Sequence, residues 1–146
     1  MRSEPNEKVI LAMWEDYERE GLPGILRWAA DDAGWRPHSA GGRVFRGTEA
    51  YRAELERATA TGLRVESTRL GPLWSQNEVV VVRGRLRTRR GGVLSDTRMY
   101  WLHRVSDGRV TWTASSPDLG GLLQEAGMDR GLAQEAFLVL HGEEPW

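Results

Sequence analysis

The chain has 146 residues and a mass of 16.5 kDa, the size of one domain able to bury its own core. Lys and Arg total 20 against 21 Asp and Glu, so the net charge of −1 gives no overall pull toward nucleic acid or an anionic membrane. Cysteine is absent, which excludes disulfides, thiolate metal sites and cysteine nucleophiles.

No apolar run reaches the roughly 18 residues of a membrane span. The polar start, Met1-Arg2-Ser3-Glu4-Pro5, passes directly into helical periodicity and does not read as a signal peptide, so a soluble cytoplasmic protein is expected. Tryptophan is enriched, seven against two phenylalanines. Large flat side chains with one N–H donor suit the walls of a cavity.

The spacing of Val9, Ile10, Met13, Trp14 and Tyr17 predicts a helix over 6–20, with Asn6 as N-cap and Gly21 as the stop. A short helix follows Leu22-Pro23-Gly24 and ends at Asp31-Asp32. Short extended pieces are expected at 35–38 and 44–47. Thr48 is placed as the cap of a third helix, with Glu49 and Glu54 near its start, Arg57 near its end and Gly62 beyond it.

The period then changes. Residues 63–73, 78–88, 93–105 and 109–115 read as strands, separated by Ser75-Gln76-Asn77, Arg90-Gly91-Gly92 and Ser106-Asp107-Gly108. Short helices at 119–126 and 132–140 complete the chain, the last stopped by Gly142. The expected class is α+β, with residues 1–146 as one domain and 128–146 as a C-terminal helical extension. Leu132, Ala136, Val139 and Leu140 give that extension an apolar stripe, for packing on its own domain, across a cavity mouth or against a partner.

This order of elements, with Ala30-Asp31-Asp32-Ala33 before Trp35-Arg36-Pro37, Phe45-Arg46-Gly47 opening the third helix, and the late hairpin Trp101-Leu102-His103-Arg104-Val105 with Asp107-Gly108-Arg109-Val110, resembles the nuclear transport factor 2-like superfamily in its SnoaL-like branch. The likeness covers residues 6–127. It implies a cone: a curved antiparallel sheet wrapped around three N-terminal helices, enclosing a deep apolar pocket and often dimerising through the outer sheet face. The superfamily includes ketosteroid isomerase, limonene epoxide hydrolase, scytalone dehydratase, polyketide cyclases and binding domains without chemistry, so fold does not fix function.

The catalytic residues of the better-placed relatives do not carry over. The isomerase tyrosine, general-base aspartate and protonated aspartate fall on Met13, Pro37 and Trp101. The epoxide hydrolase tyrosine and asparagine fall on Trp35 and Pro37, its last-strand aspartate near Ser115, and its Arg-x-Asp pair around Val82 and Gly84 or Arg83 and Arg85, with no carboxylate in either register.

Strand alternation directs Thr97, Met99, Trp101 and His103 inward from one strand, Thr111, Thr113 and Ser115 from the next, and Val80, Val82, Gly84 and Leu86 from a third. With Met13, Trp14 and Tyr17 from the first helix, and with Trp35 and His38, they make apolar walls with sparse polar anchors, the recipe of a small-molecule site. The function expected is binding of a hydrophobic small molecule, extending to cofactor-free proton transfer of isomerase, cyclase or dehydratase type. In that case His103 is the acid or base, and Tyr17, Thr113 and Ser115 orient a ligand oxygen. The alternatives are a non-catalytic ligand-binding or dimerisation module, and for His103 a structural hydrogen bond to Ser115 or backbone.

Arg83, Arg85, Arg87, Arg89 and Arg90 form an outer stripe. At near-zero net charge it reads as part of a homodimer interface, with Trp112 as an anchor, rather than as a nucleic-acid surface. His38, His103 and His141 lack metal-ligand spacing, and no phosphate-cradling loop is present, so no metal or cofactor is expected.

Overall fold

The computed structural model describes residues 1–141, save the side chains of Glu66, Ser67 and Arg69; the expected Gly142 stop lies outside the described residues. The elements are α1 (Glu4–Glu20), α2 (Leu22–Trp28), β1 (Ala29–Arg36), a 3-10 turn (His38–Ala40), β2 (Phe45–Arg46), α3 (Thr48–Ala60), β3 (Leu63–Gln76), β4 (Val79–Arg90), β5 (Val93–Ser106), β6 (Arg109–Ser116), α4 (Leu119–Glu125) and α5 (Arg130–His141). No helix among the described residues is long and apolar enough to cross a membrane.

Helix α1 starts earlier than its periodicity indicates. Ser3, not Asn6, is the N-cap, and its hydroxyl accepts the Asn6 N–H at 3.4 Å. Asn6 instead donates its side-chain amide to the Asn77 carbonyl at 2.9 Å, tying the helix start to the β3–β4 turn. Helix α2 ends at Trp28, before the two aspartates. Asp31 and Asp32 are exposed within β1, in the stretch between Ala29 and Gly34 where the register against β6 shifts. At α3 the cap position belongs to Gly47, with φ 88°, and Thr48 is the first helical residue.

The strands form one six-stranded sheet in the order β2-β1-β6-β5-β4-β3. All neighbours are antiparallel except β1 and β6, which run parallel. The hairpins close where left-handed backbone is needed: Asn77 and Asp107 both have φ 52°, and Gly108 follows at 74°.

The sheet buries residues on both faces. On the concave side Val80, Val82, Met99, Trp101, Val105 and Val110 pack against Ile10, Met13 and Trp14 of α1, Ile25 of α2, and Trp35 of β1. On the convex side Val79, Val81, Tyr100 and Leu102 pack under Leu119, Leu122 and Leu123 of α4 and Ala136 and Leu140 of α5. Each large apolar side chain so buried contributes about 1.5–3 kcal/mol relative to exposure.

The helical extension therefore lies on the back of the sheet, where Trp74 Nε1 donates to Glu135 at 3.3 Å. Arg83 Nη1 donates to the terminal carbonyls of α5, Leu140 at 3.1 Å and His141 at 2.8 Å. The convex face that the sequence offered to a second subunit is thus covered in part by the chain's own α4 and α5.

Candidate functional site

A cleft of about 520 Å³ opens at the edge of the cone, between α1 and β3. Helix α1 supplies Leu11, Trp14, Glu15, Tyr17 and Glu18, which share one side because three- and four-residue steps bring helical positions into line. Strand β3 supplies Val65, Thr68 and Leu70.

Trp14 is the hinge between cleft and core. It is 9 % exposed, and its ring meets Tyr17 edge-on at 5.7 Å, Trp101 at 5.0 Å and His103 at 6.2 Å. Its Nε1 donor is buried without a hydrogen-bond partner among the described residues. Leaving such a donor unsatisfied costs about 1–3 kcal/mol. Burial pushes the Tyr17 hydroxyl above its ordinary pKa, so it stays protonated and able to donate at neutral pH.

His103 lies one layer deeper, 1 % exposed. Its Nδ1 meets Thr113 Oγ1 at 2.8 Å, whereas Nε2 is buried without a partner among the described residues. Desolvation lowers its pKa to about 3. The ring is therefore neutral near pH 7 and a weak base in this state. The hydroxyl it meets is that of Thr113. Ser115 accepts from the His38 backbone N–H at 2.9 Å, and His38 and Ser115 line a separate groove of about 220 Å³ beside the start of α4.

Met13, Trp35, Val82, Met99 and Trp101, expected as pocket walls, are 1 %, 3 %, 0 %, 4 % and 8 % exposed and pack on one another in the concave core. Trp35 stacks on Tyr51, with centroids 4.0 Å apart and planes at 17°, and its Nε1 is also buried without a partner among the described residues. The cleft residues expected from sequence are thus Trp14 and Tyr17. Sequence reasoning missed Leu11, Glu15, Glu18 and the three β3 residues. Leu11 and Glu18 stand three before and four after Trp14, so that spacing was the available signal.

Thr111 does not face inward. A register shift between Arg104 and Val105 opposite it breaks the alternation, and its hydroxyl donates to the Arg104 carbonyl at 3.3 Å. Among the described residues no group of three or more His, Asp or Glu gathers to hold a metal ion.

A cone of helices and a strongly curled sheet with an edge cleft defines the nuclear transport factor 2-like class of α+β domains. Within it, the chain belongs to the SnoaL-like domain family, which matches residues 10–113. No curated protein matches the chain.

Several solved structures share the fold. A nuclear transport factor 2-like protein of unknown function from Burkholderia pseudomallei K96243 is 19% identical with a TM-score of 0.67, covering 84% of this chain and 97% of that one. TerC, co-crystallised with polyporic acid, is 20% identical with a TM-score of 0.67, covering 85% and 99%. An epoxide hydrolase of the limonene epoxide hydrolase-like type from M. tuberculosis is 14% identical with a TM-score of 0.62, covering 76% and 80%. At these identities the likeness is one of fold.

Proposed function

We propose that the protein binds an uncharged hydrophobic small molecule in the cleft between α1 and β3, with a ligand oxygen accepting a hydrogen bond from Trp14 Nε1. The observation that carries this reading is the indole of Trp14, which lines the cleft while its donor is buried without a partner among the described residues. Tyr17 is a second donor on the same wall, and Leu11, Val65 and Leu70 supply apolar surface. Glu15 and Glu18 at the rim disfavour an anionic ligand. TerC, of the same fold, was crystallised with a small molecule, polyporic acid.

The reading adopted is binding. Proton-transfer chemistry of isomerase, cyclase or dehydratase type draws support from Tyr17 as a donor to a ligand oxygen. His103, held neutral behind Trp14, lends none as a base.

The test uses Nile red, a neutral dye with a carbonyl oxygen. The full chain should bind it with enhanced dye fluorescence, and Trp14→Phe should weaken that binding about tenfold, the loss of one buried hydrogen bond. Equal binding by both proteins overturns the proposal.

A further inference from the structure

The convex face holds a second pocket, built on different chemistry. Arg46 of β2 pairs with Gly34 of β1, Gly34 with Trp112 of β6, and Trp112 with Arg104 of β5. One row across four strands therefore reads Arg, Gly, Trp, Arg. A Cβ on Gly34 would lie 2.5 Å from Trp112 Cε3 and 3.3 Å from Arg46 Nη1, so indole and guanidinium both close over the glycine. Leu122 and Glu125 of α4 wall the other side, and the hollow has a volume of about 320 Å³.

The cations in this pocket are not equivalent. Arg36 is paired with Glu125. Arg104 pairs with Glu78 at 2.7 Å and donates to the Ala126 carbonyl at 3.1 Å. Arg46 has no carboxylate partner among the described residues, and it lines the pocket beside Trp112. One guanidinium left without a counter-charge, next to an indole and the apolar side chains of Leu102 and Leu122, fits one singly charged planar acid. A guanidinium takes a carboxylate by two parallel hydrogen bonds, and an indole takes a ring by its face.

We propose that this convex pocket binds an aromatic carboxylate, its acid group on Arg46 and its ring against Trp112. The site is separate from the cleft and takes an anionic rather than an uncharged ligand.

The test is calorimetric titration of the full chain with naphthalene-2-carboxylate and with the neutral naphthalene-2-carboxamide. The carboxylate should bind at least tenfold more tightly than the amide. Arg46→Gln, a change at an exposed position on a two-residue strand, should abolish that preference, and Trp14→Phe should leave it intact. Equal affinity for the two probes, or wild-type behaviour of Arg46→Gln, overturns the proposal. So does loss of carboxylate binding in Trp14→Phe, which would place the probe in the cleft. Apparent affinity that falls as protein concentration rises would assign the face to a second copy of the chain and would equally overturn it.

Discussion

Gly24 sits against the backbone of Asp16 so closely that a Cβ would lie 2.4 Å from both the carbonyl carbon and the carbonyl oxygen of Asp16. Helices α1 and α2 meet at this point, and the Asp16 side chain locks the joint by accepting from Trp28 Nε1 at 2.8 Å and Arg27 Nη1 at 3.1 Å. Gly24→Ala must push two backbones apart. It should lower stability by about 1–3 kcal/mol, the usual range for overpacking. Thermal unfolding measures this, and an unchanged midpoint would mean the joint has slack.

Burial of His103 makes stability depend on pH. The unfolded ring takes a proton near 6.5, whereas the folded ring resists until about 3. Between those values the unfolded state binds more protons, so stability falls as pH falls, by up to ~1.4 kcal/mol per pH unit, and is complete above the unfolded value. Denaturant midpoints from pH 7 to 5 should show this slope in the wild type and lose it in His103→Leu. A second variant, Thr113→Val, should cost about 1–3 kcal/mol by leaving His103 Nδ1 without a partner.

A different acid response is expected at Glu7. Its carboxylate accepts from Arg2 at 2.8 and 3.0 Å and from the Ser75 hydroxyl at 2.5 Å, which joins α1 to the end of β3. The Arg2 hydrogen bond lowers its pKa most, Ser75 adds to the effect, and desolvation opposes it. The stability it supplies is present above the ordinary carboxylate range and lost as pH falls through the lowered value. Glu7→Gln should therefore be least stable relative to wild type at neutral pH, and its deficit should shrink as pH falls through and below the ordinary carboxylate range, as read from denaturant midpoints.

Arg83 holds the end of α5 through the Leu140 and His141 carbonyls. Arg83→Met keeps the apolar stem and removes those donors. Hydrogen exchange should speed up in α5 more than in β4 or β5, because the helix detaches as a local unit. Uniform acceleration across the sheet would refute a local role.

The fold was legible because its signals are periodic. Val80 and Val82 face one core and Val79 and Val81 the other, and the helical spacing of Val9, Ile10, Met13, Trp14 and Tyr17 placed α1. The boundary at Asp31-Asp32 was not legible, since both residues read locally as a helix stop. Only the distant pairing of Ala29 and of residues 34–36 with β6, on either side of a register shift that holds both aspartates, makes β1 a strand.

Of the candidate site, only Trp14 and Tyr17 were legible. Alternation says that Trp101 and Met99 point inward, but not whether they line a space or fill it. Volume is a property of the assembled side chains, and here the indoles of Trp14, Trp35 and Trp101 occupy the interior, with the cleft at its edge. Packing of α5 on its own domain was legible as one reading of its apolar stripe, but the face of the sheet it covers was not.

The parallel ladder between β1 and β6 has a kinetic consequence. Trp35 aligns with Thr113, and before β6 arrives β1 has only the two residues of β2 as a neighbour. On a ribosome β1 would emerge with its main pairing partner still unsynthesised. Such distant pairing slows barrier crossing, because loop closure precedes any reward. Completion of the sheet should therefore be a late, all-at-once event, and truncation before Arg109 should yield a chain that collapses without acquiring a unique structure.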